Sequence, residues 1–196
     1  IATYTSATSV RGAVNVAVPS DIRTVATTDW AFARDSVSGL SHLEGETVSV
    51  WADSWTAASP NNSGIATTIT VSGGAITLSR AYAVVTVGMP FVADWKTLDL
   101  DVANQESLIG RRKLTNRVEV YLESSRGLFV GAEEPDGDVL TGLKEVLPQN
   151  AVTAATPGSF QTGPQEVSIL SKWDPSGRIF LRQVDPCPMN ICAIAP

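Results

Sequence analysis

The chain has 196 residues, enough for one large domain or two small ones with their own cores. Charged residues are only 17% of it and the formal net charge is −6. An acidic chain does not hold phosphate backbone by counterion release, so sequence-specific DNA or RNA binding is not expected as its main role, although an acidic wall could still let DNA slide past.

Ala, Val, Ser, Thr and Gly dominate, which favours short strands and tight turns over helices. Two cysteines, Cys187 and Cys192, and a single histidine, His42, leave little for zinc. Strand positions five apart face opposite sides, so both thiols are expected to be free and partly buried. No apolar run reaches the ~18–20 residues of a membrane span, and residues 1–20 carry no signal-peptide pattern. Ile1 is not a start methionine, so the chain is expected to be processed or part of something longer.

In chain order, residues 1–38 read as an arm or interface segment. Within it, Ala13 to Pro19 is either a strand or an extended piece that orders against a neighbour. Thr47 to Asp53 alternates polar and apolar and predicts a half-buried strand. Residues 54–64 hold Ser, Pro, Asn and Gly and predict a loop. Thr67 to Val71 and Ala75 to Leu78 flank Ser72-Gly73-Gly74, a tight hairpin turn in which glycine supplies positive φ. Ala83 to Val87 is a continuous apolar run that predicts a core strand ending at Gly88.

Trp95 to Val102 predicts one long edge strand, with Asp99 and Asp101 on one face. Ser107 to Leu114 is the single short helix expected. Arg117 to Leu122 alternates clearly, and Gly127 to Val130 extends it or pairs with it. Glu133 to Asp138 is an acidic loop, and residues 148–165 predict a long surface loop of the kind that usually has a partner. Gln165 to Lys172 and Arg178 to Gln183 predict a hairpin around the Trp173–Gly177 turn. Met189 to Ile194 is the last strand. The fold class expected is all-β: small barrel or sandwich modules of short antiparallel strands, over 39–91 and 92–196, which share a sheet or stand apart.

Catalytic constellations are sparse. A Ser-His-Asp triad has His42 as its one candidate, and no nucleophile-elbow motif follows, so His42 is expected to stabilise a turn. Asp99 with Asp101 resembles a glycosidase pair only in composition and reads better as a solvated face. Glu133, Glu134, Asp136 and Asp138 lack the full calcium-loop spacing. Gly73-Gly74 lacks the Lys and helix of a phosphate loop. No cofactor, metal or stable small-molecule ligand is expected.

Arg111, Arg112, Lys113 and Arg117 form a basic run that pairs with acidic loops of a neighbouring copy, is solvated, or touches DNA. Trp51, Trp55 and Trp95 form either a sugar-binding platform or core and interface filling.

Five segments in order carry a resemblance. They are Asp35 to Asp53, with Gly39-Leu40-Ser41-His42-Leu43-Glu44-Gly45 at its heart, then Val71 to Leu78, Ala81 to Pro90, Arg111 to Gly131, and Gly177 to Pro196. Together, over roughly 35–196, they resemble the conserved C-terminal part of the tail tubular protein B, or tail nozzle, family of short-tailed bacteriophages. Ser54 departs from that pattern, standing where the family usually has glycine, and residues 1–30 match no part of it.

The resemblance implies a non-enzymatic virion protein, assembled in the host cytoplasm as a ring of identical copies with six-fold symmetry. Its partners would be the adaptor and fibre proteins of the tail, and DNA would pass through its channel without stable binding. Arg111, Arg112, Lys113, Glu133, Glu134 and Asp136 are the interface or channel residues expected. The rival expectation is a glycan- or receptor-binding β-module on a virion surface.

Overall fold

A computed structural model describes residues 3–6, 9–11, 33–62, 65, 67–101, 107–108, 110–135, 140–147 and 160–195. Fifteen strands and one 3-10 turn account for the regular structure, all strand pairs are antiparallel, and no α-helix occurs among the described residues. The fold is all-β.

β1 (Thr3–Ser6) and β2 (Ser9–Arg11) pair with each other as a two-stranded ribbon. The arm expected over 1–38 therefore contains a hairpin. Its last residues, β3 (Arg34–Ser38), belong to a sheet, because they pair with β7 (Ala75–Tyr82). Ala13 to Pro19 lies outside the described residues.

Around the first core, β4 (Thr47–Ala52) is the hub. It pairs with β5 (Trp55–Ala58), β6 (Ile69–Thr70) and β8 (Val85–Gly88). Val48, Ser49 and Val50 are all buried, so this strand is covered on both faces at its middle rather than half-buried as its alternation suggests. Val48, Val50, Ala58, Val71, Ile76, Leu78 and Tyr82 form the apolar cluster.

The loop expected over 54–64 begins late. Asp53 and Ser54, with φ of 47° and 62°, make a two-residue turn that returns the chain as β5. The run Ala83 to Val87 is less buried than its composition implies. Val84 is 67% exposed, and Val85 and Val87 are half-buried, because among the described residues β8 is held by β4 alone.

The motifs that look catalytic in sequence serve as joints. Ser41–Leu43 is the 3-10 turn, and His42 is exposed on it. The turn-stabilising role falls to Glu44, whose carboxylate accepts the N–H groups of Gly73 and Gly74 at 2.8 and 2.6 Å. Gly73 and Gly74 have φ of 63° and 67°, and a Ser72–Ala75 bridge closes the turn. Leu40 N–H donates to Gly74 O at 2.9 Å, so two segments thirty-odd positions apart become one unit. Asp53 does the same for the next turn, accepting Ala83 and Val84 N–H at 3.0 and 2.8 Å.

The second core lies between two sheets. One has the order β13 (Gln161–Asp174), β10 (Lys113–Ser125), β15 (Ile191–Ala195). The other has the order β12 (Lys144–Glu145), β11 (Leu128–Gly131), β14 (Phe180–Gln183), β9 (Ala93–Lys96). Val118, Val120, Leu122, Leu128, Val130, Val167, Ile169, Ile179 and Leu181 fill the space between them.

β13 and β14 do not form the expected hairpin. The turn between them exists, with the Asp174 carboxylate accepting Ser176 and Gly177 N–H at 3.0 Å each. Yet β13 pairs with β10, while β14 pairs with β11 and β9. The chain crosses from one sheet to the other, which lets Ile169 and Leu181 bury against a common core.

Two further expectations give way. Ser107 to Leu114 is not a helix: Gly110 has φ of 79°, and Lys113 and Leu114 enter β10 opposite Asp174 and Trp173. The edge strand expected from Trp95 stops at Lys96. Beyond it Asp99 pairs with Arg178, and Asp101 accepts the N–H of Leu108 at 2.8 Å. Asp99 and Asp101 therefore do not form a shared carboxylate face.

Candidate functional site

The two clusters meet at a polar seam. Asn62 Nδ2 donates to Asp185 Oδ2 at 2.8 Å, the Ser59 hydroxyl donates to Val184 O at 3.3 Å, and Thr56 Oγ1 lies 3.3 Å from Cys187 Sγ. All the side chains in these contacts are buried. Beside the seam is a cleft of about 210 Å³ walled by Trp51, Trp55, Arg126, Glu145, Asp185 and Cys187.

Local structure explains each placement. Trp51 and Trp55 flank the Asp53–Ser54 turn on paired strands, and both residues line the cleft. Arg126 sits in the link between β10 and β11, and its guanidinium lies 4.9 Å from the centre of the Trp55 ring, a cation–π contact. Glu145 ends the short strand β12. Asp185 follows β14 and is brought against Gly127. A Cβ on Gly127 would stand 3.3 Å from Asp185 Oδ2, and Gly127 has φ of 76°, so both space and backbone require glycine there.

The electrostatics are under-compensated. Burial pushes the Asp185 carboxyl above its usual range, and its polar neighbours Ser59 and Asn62 and the Arg126 charge only partly offset it. Ser59 has one hydroxyl proton, and in the structure it goes to the Val184 carbonyl. Asp185 Oδ1 accepts no hydrogen bond among the described residues. Glu145 is also raised, first by burial and then by the Asp185 charge, with Arg126 opposing. Burial pushes the Cys187 thiol up to about 11. It is therefore a protonated thiol at neutral pH and a poor nucleophile. Both cysteines are free, but they differ: Cys187 is buried and Cys192 exposed, so the expectation of partial burial for both is half corrected.

The residues singled out in sequence are dispersed. Arg111 and Arg112 are exposed in the turn before β10. Lys113 is half-buried and donates to Pro175 O at 2.7 Å, and Arg117 lies 3.3 Å from Glu166. Glu133 and Glu134 are exposed beyond β11, with Glu134 4.0 Å from Lys96. Asp136 lies outside the described residues. The basic run and the acidic loop thus make these contacts with other groups.

Of the three tryptophans, Trp51 and Trp55 share the cleft. Trp95, 54% exposed on β9, lines a separate cleft of about 330 Å³ with Met189 and Ile191. The three do not form one platform. Arg126, Glu145 and Asp185 carried no sequence signal as a group, because they come together only when β11, β12 and the segment after β14 converge.

No protein-family model matches the chain, and no curated protein matches it.

Proposed function

We propose that the chain is a structural subunit of the ring-shaped tail nozzle, or hub, of a short-tailed phage. It would line the DNA-ejection channel in the virion and have no catalytic role. The observation that carries this reading is the series of five motifs in order over roughly 35–196. Their architecture supports it. Glu44, Gly73, Gly74 and Asp53, which belong to those motifs, hold turns rather than a reaction centre.

Assembly needs two unlike surfaces on each copy. The exposed cations Arg111 and Arg112 and the exposed acids Glu133 and Glu134 supply opposite charge on separate segments. Leu114 and Trp173, cross-strand partners 44% and 60% exposed, supply an apolar contact next to the basic turn. The partners would be further copies in a six-membered ring, then adaptor and fibre proteins. The net charge of −6 suits a wall that lets DNA slide.

Light scattering with negative-stain imaging tests this. Closed rings are expected, and the double variant Leu114→Lys, Trp173→Lys is expected to reduce them to monomers with unchanged circular dichroism. A chain that stays monomeric alone and also fails to join purified tail complexes overturns the reading.

A further inference from the structure

We propose that the contact between residues 56–62 and 184–187 is a proton-operated latch between the two apolar clusters, closed while Asp185 carries a proton and loosened when it ionises. The proposal does not rest on the assembly reading, because both sides of the latch belong to one copy.

The latch has three ties: Thr56 to Cys187, Ser59 to Val184 and Asn62 to Asp185. Its 184–187 side is held independently of the 56–62 side. Gln183 Nε2 donates to Asp185 O at 3.1 Å and to Cys187 O at 2.6 Å, and Asp185 packs against Gly127. The segment can therefore part from 56–62 without leaving its own cluster. Asp185 is the group that makes parting depend on protons. It is 4% exposed, Asn62 donates to its Oδ2 at 2.8 Å, and Oδ1 accepts no hydrogen bond among the described residues. An ionised carboxylate has lone pairs for about four donors. A neutral acid tolerates so dry a setting, whereas a carboxylate gains from opening the seam to water.

The neighbouring groups set the sign. Thr56, Ser59 and Asn62 bring no charge from the 56–62 side. Glu145 on β12 shares the cleft as a second acid, and the Cys187 thiol stays neutral. Arg126 on the β10–β11 link opposes them, with its guanidinium 4.9 Å from the centre of the Trp55 ring. Burial raises both carboxyls despite Arg126, and the Asp185 charge raises Glu145 further. The closed form therefore loses its advantage as pH rises through these raised values.

The test reads the buried Cys187 in the full chain carrying Cys192→Ser, which removes the exposed thiol. Its rate with a thiol reagent is divided by that of the denatured chain at the same pH, which cancels the thiol's own pH dependence. Protection of Cys187 is expected to fall roughly tenfold or more between about pH 4 and about pH 8. Over the same range the amides of β14, paired to β11 and β9, are expected to keep their hydrogen-exchange protection. Adding Asp185→Asn is expected to flatten the fall, and adding Glu145→Gln to make it shallower. Glu145→Gln decides the matter should Asp185→Asn fail to fold. Flat protection in the Cys192→Ser chain overturns the proposal. So does a fall that Asp185→Asn or Glu145→Gln leaves undiminished, or one that the β14 amides share, which marks global unfolding.

Discussion

Carboxylates do opposite work at the turns of the N-terminal half and at the junction between the two halves. In the N-terminal half, Glu44 and Asp53 are exposed and each accepts two main-chain N–H groups at a turn. Those bonds pull the Asp53 carboxyl below its ordinary value, led by Val84 and Ala83. At the junction with the C-terminal half, Asp185 and Glu145 lose water, gain too few donors, and are both raised. A carboxylate that is fully answered by the backbone is a joint. One that is buried and only partly answered is where a ligand or a proton has something to gain.

The sharpest way to break the comparison is to ask whether the halves are separate folding units. Leu78 and Leu181 are 5% and 1% exposed in the two different clusters. Leu181→Ala and Leu78→Ala should each cost about 2–5 kcal/mol. If the seam couples the halves, both variants shift one common denaturation curve. Two transitions, each moved by only one variant, would show that the Asn62–Asp185 contact does not transmit stability.

These cores were legible in the sequence, and the seam was not. Alternation marks Val118, Val120 and Leu122 as one face, and the paired glycines mark the turn at 73–74, because both signals are local. The crossing of β14 to the other sheet is invisible locally. Arg178 to Gln183 reads the same whether its partner is β13 or β11, and only the filling of a two-sheet core decides between them. Trp55 to Ala58 was hidden by the Ser, Pro and Asn that follow it. The cleft was least legible, since Arg126, Glu145 and Asp185 are drawn from three links with no shared spacing.

Asp185 gives the next largest effect. Asp185→Ala removes the carboxylate that accepts the buried Asn62 amide and should cost about 1–3 kcal/mol. Asp185→Asn keeps an acceptor for Asn62 and removes the buried charge, so it should be near neutral or stabilising at pH 7. The pH dependence follows from the raised values. The folded protein holds these protons more tightly than the unfolded chain, so their contribution is complete below the ordinary 3.8 and 4.5 of Asp185 and Glu145. It is lost as pH rises through the raised folded values. Chemical denaturation across that range should show wild type losing more stability than Asp185→Asn. Equal slopes would mean that the carboxyl is solvated in the folded state.

Asp53 should show the reverse sign. Its folded value is lowered, so its contribution is present above the ordinary 3.8 and disappears as pH falls through the lower value. Asp53→Ala should cost about 1 kcal/mol at pH 7, the modest figure reflecting two hydrogen bonds at an exposed turn. The variant and wild type should converge in stability in strong acid. A gap that persists there would assign the loss to backbone conformation instead of to the charge.

The smallest expected effect is at Ser54, where this chain departs from the glycine usual in the family it resembles. Ser54 has φ of 62°, a left-handed conformation that costs an L residue roughly 1–2 kcal/mol. Ser54→Gly removes that cost but adds freedom to the unfolded chain, which takes back about 0.5–1 kcal/mol. The balance should be a gain of about 0 to 1.5 kcal/mol, seen as a small rise in melting temperature. A loss instead would mean that the Ser54 side chain contributes at the cleft it lines.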